Sequence, residues 1–439
     1  MVKKIFSIIL IICFCLMPVL SVRAYEPTGF DITANAAMLV SLDTDEVLYS
    51  KNENQKVYPA SITKIMTTIL MLESEKFDPD AKIAMTEEVL DLISGTGSSV
   101  SLMTAGEEIT QLDLVYMVLM ASFGDSAYLA AIHFGGSVEG FVDMMNSKAQ
   151  ELGLTGTHYQ NPVGLHDENN YTTARDTYIL TKYALKNKTF KEVCSTTRYT
   201  VQSLGKTLST TNFMQDTTTN YYYTYAKGVK TGYTDEAGRC LVSTASYNGY
   251  NYMCVLFGCP PNAGQRYEFI DSKNLYRWAF NNFEFKQVAD TANPICEVGV
   301  ELSLQTDFVS LYVEESFISV LPTDADDSTI SIVPHPTAES VKAPIKKGDV
   351  LGTADIIYAE QLIGKVNLVA NENIEKSAML TVLDALKRFF TSSYMKVVYI
   401  IIIVLIAAFS IAVVKMNSGR RRKVKYIPYS KHSEDTRRR

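Results

Sequence analysis

Two short motifs in this chain carry residue types suited to acyl transfer. Ser61 and Lys64 stand three positions apart just after Pro59, which predicts a helix that begins there. On such a helix the hydroxyl and the amine lie on one face, so the amine could take the hydroxyl proton. The alternative is an N-capping serine with a solvated lysine, since the same spacing recurs at residues 203–206 and 393–396 without these helix-start features.

The second motif, Lys230-Thr231-Gly232, occurs once in the chain and comes directly before a predicted β-hairpin. A cation and a hydroxyl on a strand can bind a carboxylate, and glycine leaves room for a substrate backbone to lie against the strand. The alternative is a plain turn that leads into the strand. Neither motif by itself shows that the chain carries out a reaction, because its side chains can act together only if the surrounding helices and strands position them.

Strand patterns flank a helical middle region. Apolar runs on both sides of the Asp-rich turn at residues 43–45 predict a hairpin. Helical periodicity extends over residues 61–153. Asn248-Gly249 separates two further apolar runs, which is the strongest short hairpin signal. These patterns predict one α+β domain over residues 25–285, in which a sheet unites N- and C-terminal strands.

Beyond this domain the composition changes twice. Short alternating segments interrupted by prolines predict a small all-β domain at residues 286–372. A linker or juxtamembrane helix at residues 373–396 leads to 18 uncharged residues, 397–414, which are long enough to cross a bilayer as a helix. The basic tail at residues 415–439 is expected in the cytoplasm, which places the domains outside the membrane.

The N-terminal residues 1–24 have the pattern of a secretory signal peptide, with an uncleaved anchor as the alternative. Residues 25–414 hold 28 Lys and Arg against 46 Asp and Glu, a net charge of −18. Such a body repels phosphate backbones, so nucleic-acid binding is not expected. The cysteines and histidines show no metal-ligand spacing, and the prediction is that the protein uses no metal and no other cofactor.

Four ordered segments resemble the penicillin-interactive serine enzymes. Within that group they are most similar to the low-molecular-mass penicillin-binding proteins, which are serine-type D-alanyl-D-alanine carboxypeptidases. The segments are residues 58–64 (YPASITK), 161–167 (NPVGLHD), 171–176 (YTTARD) and 230–235 (KTGYTD). The resemblance implies an α+β transpeptidase domain like that of β-lactamases, with an antiparallel sheet and a helical region. A small all-β domain and a C-terminal transmembrane helix would follow it.

The resemblance also implies a mechanism. Ser61 would be the nucleophile, Lys64 the general base and Ser122 a proton relay, with an oxyanion hole made of backbone N–H groups at Ser61 and Tyr233. The residues expected to bind the substrate are Lys230, Thr231, Gly232 and Tyr233. A general-base lysine must be neutral near pH 7, so its pKa has to fall about 3 below the ordinary 10.4, through burial and a nearby Lys230 cation.

The chain departs from the family at one position. The family's Ser-x-Asn motif corresponds to Ser122-Phe123-Gly124, and glycine supplies neither the donor nor the acceptor of the missing amide. A water or another side chain would have to replace it. Arg266 aligns loosely with a family arginine that adds positive potential, and a solvated surface arginine is the alternative. His166 beside Asp167 suggests a Ser-His-Asp arrangement, but a lysine base needs no histidine.

The leading hypothesis is an enzyme that removes the terminal D-alanine from peptidoglycan stem pentapeptides and is acylated by β-lactams. One alternative is a catalytically weak homologue that binds stem peptides or organises partners at the membrane, for which Gly124 is the hint. Another is a β-lactamase, but residues 122–230 contain no Glu-x-x-Leu-Asn segment that would supply a deacylating glutamate. The expected location is the cell membrane, with a single span and an extracytoplasmic catalytic domain.

Overall fold

The computed structural model describes residues 27, 29–261 and 264–421. The predicted signal peptide and most of the predicted basic tail lie outside these residues. The described chain forms two compact units. The first holds the residues up to Val288 together with Ile318–Thr329, and the second holds Ala289–Phe317 and the described residues from Ile330 onward.

Helices fill the middle of the first unit, as the sequence patterns predict, although two short strand pairs that were not predicted lie among them. The helices of this unit are α1 (Lys64–Glu73), α2 (Glu87–Ile93), α3 (Gln111–Leu119), α4 (Gly124–Gly135), α5 (Val138–Glu151), α6 (Ala174–Ala184), α7 (Lys188–Ser195) and α8 (Tyr267–Asn282). The strands that precede the second unit are β1 (Ala36–Ser41), β2 (Val47–Lys51), β3 (Lys82–Ala84), β4 (Glu108–Thr110), β5 (Arg198–Val201), β6 (Lys206–Ser209), β7 (Ala226–Thr234), β8 (Gly238–Tyr247), β9 (Tyr250–Cys259) and β10 (Phe283–Ala289).

A five-stranded antiparallel sheet in the order β2-β1-β9-β8-β7 forms the centre of the first unit. Both predicted hairpins are confirmed. In the second one, Asn248 and Gly249 adopt positive φ angles of +50° and +87°, as a two-residue turn between twisted strands requires. The N-terminal strand β1 pairs with β9, so the predicted union of strands from both ends of the domain is also confirmed.

Both faces of this sheet are covered, which explains why its inner strands are apolar almost throughout. Met38 and Val40 of β1 belong to the core shared with the helices α1 to α7, whereas Ala37 and Leu39 point to the other face. That second core contains residues of α8. Because side chains alternate along a strand, a sheet buried on two sides needs apolar residues at successive positions.

Up to residue 372 the second unit consists mainly of strands, as predicted. The strands after β10 are β11 (Cys296–Glu301), β12 (Phe308–Val313), β13 (Phe317–Pro322, most of it in the first unit), β14 (Ile330–Pro336), β15 (Ser340–Lys342), β16 (Val350–Tyr358) and β17 (Gln361–Ala370). Six of them form a sheet in the order β14-β16-β17-β12-β11-β15. Two helices follow, α9 (Ala378–Thr391) and α10 (Ser393–Arg421). Residues Ser393–Asn417 of α10 are long and apolar enough to cross a membrane.

Candidate active site

A single turn of 3-10 helix, Ala60–Thr63, carries Ser61 and continues directly into α1. Lys64 at the start of α1 has no exposed surface, and its Nζ donates hydrogen bonds to Ser61 Oγ at 2.9 Å and to the carbonyl oxygen of Val163 at 2.8 Å. Ala60 has a φ of +46°, a left-handed conformation that side chains other than glycine seldom adopt. The hydroxyl and the amine of the first motif are therefore in direct contact, on a strained turn.

Burial lowers the pKa of Lys64 from 10.5 to about 7, while the carboxylate of Asp125 acts in the opposite direction. Near pH 7 about half of the Lys64 amines are then neutral and can accept a proton. Lys230 is also buried, and both burial and repulsion from Lys64 hold its pKa well below the ordinary value. From the sequence, both burial and Lys230 are expected to lower the pKa of Lys64. In the structure burial lowers it, and the repulsion between the two lysines lowers the pKa of Lys230 instead.

The loop at residues 161–165 holds the carbonyl group that receives Lys64. Asn161 Oδ1 accepts hydrogen bonds from three successive backbone N–H groups, those of residues 163–165, at 3.2, 2.7 and 3.0 Å. Thr67 of α1 donates to a carbonyl oxygen of the same loop at 2.7 Å. The asparagine thus shapes the loop and the threonine ties it to the helix, which explains what this segment of the sequence contributes to the site.

Two glycines allow neighbouring segments to approach the nucleophile turn. Gly164 has a φ of +90°, and a Cβ there would lie 1.8 Å from the carbonyl oxygen of Ala60. A Cβ at Gly232 of β7 would lie 3.1 Å from the backbone nitrogen of Ser61. Any larger residue at Gly164 would push the loop away, and one at Gly232 would crowd the strand against the turn. Both glycines are part of the motifs that the sequence analysis singled out.

A cavity of about 880 Å³ opens beside Ser61. We term one side the strand wall, formed by residues 231–233 of β7 with Thr211 and Arg266. The other side, the helical wall, is formed by Ser122 and residues 96–99. Lys64 and Lys230 are absent from the lining within the described part of the chain, so both amines lie behind the surface that a ligand would touch.

The strand wall is held by hydrogen bonds of its own. Thr231 Oγ1 donates to Thr211 Oγ1 at 2.6 Å, and Lys230 Nζ donates to the backbone carbonyl of Thr231 at 2.9 Å. Arg266 Nε donates to Glu268 Oε1 at 2.5 Å, which fixes the guanidinium at the cavity. Arg266 is therefore a cavity residue and not the solvated surface arginine that the sequence left open.

Two further residues singled out from the sequence stand at the rim. Tyr233 is 45% exposed, and its hydroxyl donates to Asp235 at 2.6 Å. His166 is exposed, lines the cavity and packs edge-on against Tyr58 with ring centroids 4.6 Å apart. Within the described residues its ring makes no hydrogen bond with Ser61, so the Ser-His-Asp arrangement does not form.

The helical wall contains the predicted relay, and the departure from the family motif is buried next to this wall. Ser122 lies between α3 and α4 with a φ of +68°, another strained residue beside the cavity. Gly124 is the first residue of α4. The next residue, Asp125, is 1% exposed, and sequence reasoning missed its influence on Lys64. Its place directly after the Ser-x-Asn position was the signal that could have drawn attention to it.

Comparison with known proteins agrees with this geometry. Residues 21–260 match the family of D-alanyl-D-alanine carboxypeptidases, which is more than half of the chain. The chain belongs to the D-alanyl-D-alanine carboxypeptidase family. Residues 300–376 also match the C-terminal domain of penicillin-binding protein 5. Membership confirms the predicted serine-type hydrolase, its mixed α/β penicillin-binding fold and the all-β domain that follows.

Three similar proteins illustrate the range of this family. The D-alanyl-D-alanine carboxypeptidase DacF of Bacillus subtilis (strain 168) is 31% identical over 355 residues, which cover 80% of this chain and 88% of DacF. The crystal structure of penicillin binding protein 5 from Haemophilus influenzae aligns with a TM-score of 0.64 and 26% identity, covering 80% of this chain and 100% of that one. The Streptomyces K15 DD-transpeptidase aligns with a TM-score of 0.53 and 27% identity, covering 58% of this chain and 99% of the other.

Proposed function

We propose that this protein removes the terminal D-alanine from peptidoglycan stem pentapeptides through an acyl-enzyme on Ser61. The observation that carries the proposal is the 2.9 Å contact between Lys64 Nζ and Ser61 Oγ, made by an amine whose pKa burial lowers to about 7. A neutral amine at that distance can take the serine proton without a histidine. Membership in the D-alanyl-D-alanine carboxypeptidase family supports the substrate class.

In the proposed reaction, Ser61 Oγ attacks the carbonyl carbon of the penultimate D-alanine while neutral Lys64 accepts the hydroxyl proton. The backbone N–H groups of Ser61 and Tyr233 stabilise the oxyanion of the tetrahedral intermediate. The Ser122 hydroxyl donates its proton to the leaving nitrogen and takes the proton held by Lys64 in return, so the peptide bond breaks, D-alanine departs and Lys64 is neutral again. Water then attacks the ester, again with Lys64 as base, and releases the shortened peptide.

The strand wall is the proposed site for the terminal carboxylate. Thr231 offers a hydroxyl and Arg266 a fixed guanidinium, while the buried Lys230 adds positive potential from behind. Gly232 lets β7 lie close against the nucleophile turn, so a peptide backbone that runs along the strand would pass beside Ser61. A β-lactam carries a carboxylate and a reactive carbonyl in a similar relation, so we propose that it acylates Ser61 in the same cavity.

The test is to treat the full-length protein in detergent with benzylpenicillin and determine its intact mass, and to measure D-alanine release from a stem pentapeptide. We expect one covalent adduct on Ser61 and release of D-alanine, with both lost in Ser61→Ala. An adduct that disappears within seconds would indicate a β-lactamase instead. A folded protein that forms no adduct and releases no D-alanine would leave the stem-peptide-binding homologue as the better interpretation.

We also propose that α10 anchors the protein in the cell membrane with the catalytic unit outside. The apolar segment Ser393–Asn417 is followed by a cluster of arginines and lysines from Arg420 onward, and such clusters stay on the cytoplasmic side. Protease added to spheroplasts should degrade the catalytic unit and leave a C-terminal epitope tag protected until the membrane is permeabilised. Digestion of the tag in sealed spheroplasts would contradict this topology.

A further inference from the structure

The position where the family motif has asparagine is not an empty space in this protein. Gly124 is buried, and a Cβ built on it would lie 2.3 Å from Ser98 Oγ and 3.1 Å from Ser98 Cβ. The same Cβ would lie 2.8 Å from Ile93 Cδ1. The side chain of Ser98, brought from the segment before β4, therefore takes up the volume into which a side chain at position 124 would extend.

The segment that carries Ser98 is fixed to the start of α4 by several hydrogen bonds. The backbone N–H of Gly124 donates to the carbonyl oxygen of Ser99 at 2.7 Å. Asp125 Oδ2 accepts from both the backbone N–H and the hydroxyl of Ser101, at 2.8 and 2.6 Å. These bonds, made by the residues one and three positions after Ser98, hold the serine in register with the helix, so its proximity to Gly124 is a built feature of the wall.

The hydroxyl of Ser98 is available to a ligand. Ser98 is half-buried and lines the cavity together with Ser61 and Ser122. Within the part of the chain that the structure describes, its Oγ has no hydrogen-bond partner. A hydroxyl can donate one hydrogen bond and accept others, which are the two capacities that glycine at position 124 lacks. Without a ligand, a hydroxyl at the edge of a cavity can donate its hydrogen bond to water, so leaving it without a protein partner costs little free energy. When a ligand displaces that water, the hydroxyl can donate to the ligand and favour its binding.

The charges around Ser98 indicate which ligand group it would meet. Asp125 places a buried carboxylate behind the helical wall, next to the segment of Ser98, whereas Arg266 and the hydroxyl of Thr231 are on the strand wall. The Asp125 carboxylate repels an anion, whereas Arg266 and the Thr231 hydroxyl attract one. A neutral backbone carbonyl of an acyl chain is therefore the group that suits the helical wall.

We propose that Ser98 is a substrate-binding residue that replaces the missing asparagine amide, and that its hydroxyl donates a hydrogen bond to an amide carbonyl on the acyl side of the bond attacked by Ser61. This inference rests on the proposed function and adds a residue that the motifs do not contain. It identifies an amide carbonyl as a substrate feature that the helical wall recognises.

The test compares two penicillins that differ in this carbonyl. Benzylpenicillin has a side-chain amide carbonyl, and 6-aminopenicillanic acid lacks it. In the full-length protein, Ser98→Ala should lower the rate constant of acylation by benzylpenicillin about three- to tenfold, as expected for one neutral hydrogen bond, and leave that of 6-aminopenicillanic acid unchanged. Ser98→Thr, which keeps the hydroxyl, should recover most of the loss. Ser94→Ala, in the same segment but outside the cavity, serves as the matched control.

Equal losses with both penicillins would show that Ser98 only maintains the wall, and no loss with either would show that it does not bind the ligand. Either result overturns the inference while leaving the proposed function intact. Failure of the wild-type protein to react with either penicillin and to release D-alanine would overturn both. A second variant combines Ser98→Gly with Gly124→Asn, and it should still be acylated faster by benzylpenicillin than by 6-aminopenicillanic acid, as the wild-type protein is expected to be. Gly124→Asn alone should lose this difference, because the asparagine side chain collides with Ser98.

Discussion

The strand wall and the helical wall of the cavity differ in how they provide their polar groups. In the strand wall, Thr231, Gly232 and Tyr233 stand at successive positions of β7 where the motif predicted them. At the helical wall the motif lacks its asparagine, because position 124 is a buried glycine, and Ser98 of a different segment fills the adjacent volume. The side chains of a strand motif have positions fixed by the strand itself, so a residue from another segment can hardly take the place of one of them. The start of a helix is packed against a loop, and that loop can supply the missing group.

The largest expected effect concerns Lys64, the proposed base, which lies behind the cavity surface. Lys64→Met removes the base and should lower kcat/KM for D-alanine release about 10³-fold, within the range for loss of a general base. The measurement is release from a stem pentapeptide by the full-length protein. Lys82→Met, which changes an exposed lysine paired with Glu108, is the control and should leave the rate unchanged. A Lys64→Met enzyme with more than a tenth of wild-type activity would exclude Lys64 as the base.

The pH dependence should follow the same group. Lys64 must be neutral to accept the proton, and its pKa of about 7 means that it becomes protonated as the pH falls below that value. Acylation by benzylpenicillin should therefore decline tenfold for each pH unit below the midpoint, and at pH 5 it should be about 100-fold slower than on the plateau. Circular dichroism at each pH would show that the fold is retained. A flat profile between pH 5 and 8 would contradict this account.

The loop that positions Lys64 is tested by two glycine substitutions. Gly164→Ala introduces a Cβ that would lie 1.8 Å from the carbonyl oxygen of Ala60, so it should displace the loop and slow acylation on the order of 30-fold. Gly205→Ala is the control, because Gly205 also has a positive φ, of +63°, but nothing lies within 4 Å of its Cβ position. Equal rates for the two variants would show that the close approach of the loop is not required.

The smallest expected effect isolates the contribution of the helical wall to Lys64. Asp125 raises the pKa of Lys64, so Asp125→Asn should move the midpoint of the pH profile to lower pH while an amide of the same size keeps an acceptor for Ser101. Asp91→Asn changes an exposed carboxylate on α2 and should leave the midpoint where it is. A midpoint that stays constant or rises in Asp125→Asn would show that Asp125 does not raise the pKa of Lys64.

Much of the fold was predictable because its signals are local. The Asn248-Gly249 turn, the pattern of β1 and β2 and the apolar segment in α10 each depend on residues close together in the chain. The small antiparallel pairs β3–β4 and β5–β6 were not predicted, since strands of three or four residues are too short to show a period. The strand Phe317–Pro322 pairs with β10, a pairing that the sequence pattern did not reveal.

The sequence by itself determined the identity of the reactive groups, because a hydroxyl, an amine and their spacing on one helical turn are written in consecutive residues. Tertiary structure alone decided how those groups behave. One of the two acceptors of Lys64 is the carbonyl of Val163, 99 positions away, and the pKa of Lys64 depends on burial that no short segment can specify. Tertiary structure also decided that Ser98 lies against Gly124, because packing brings together residues that are far apart in the sequence.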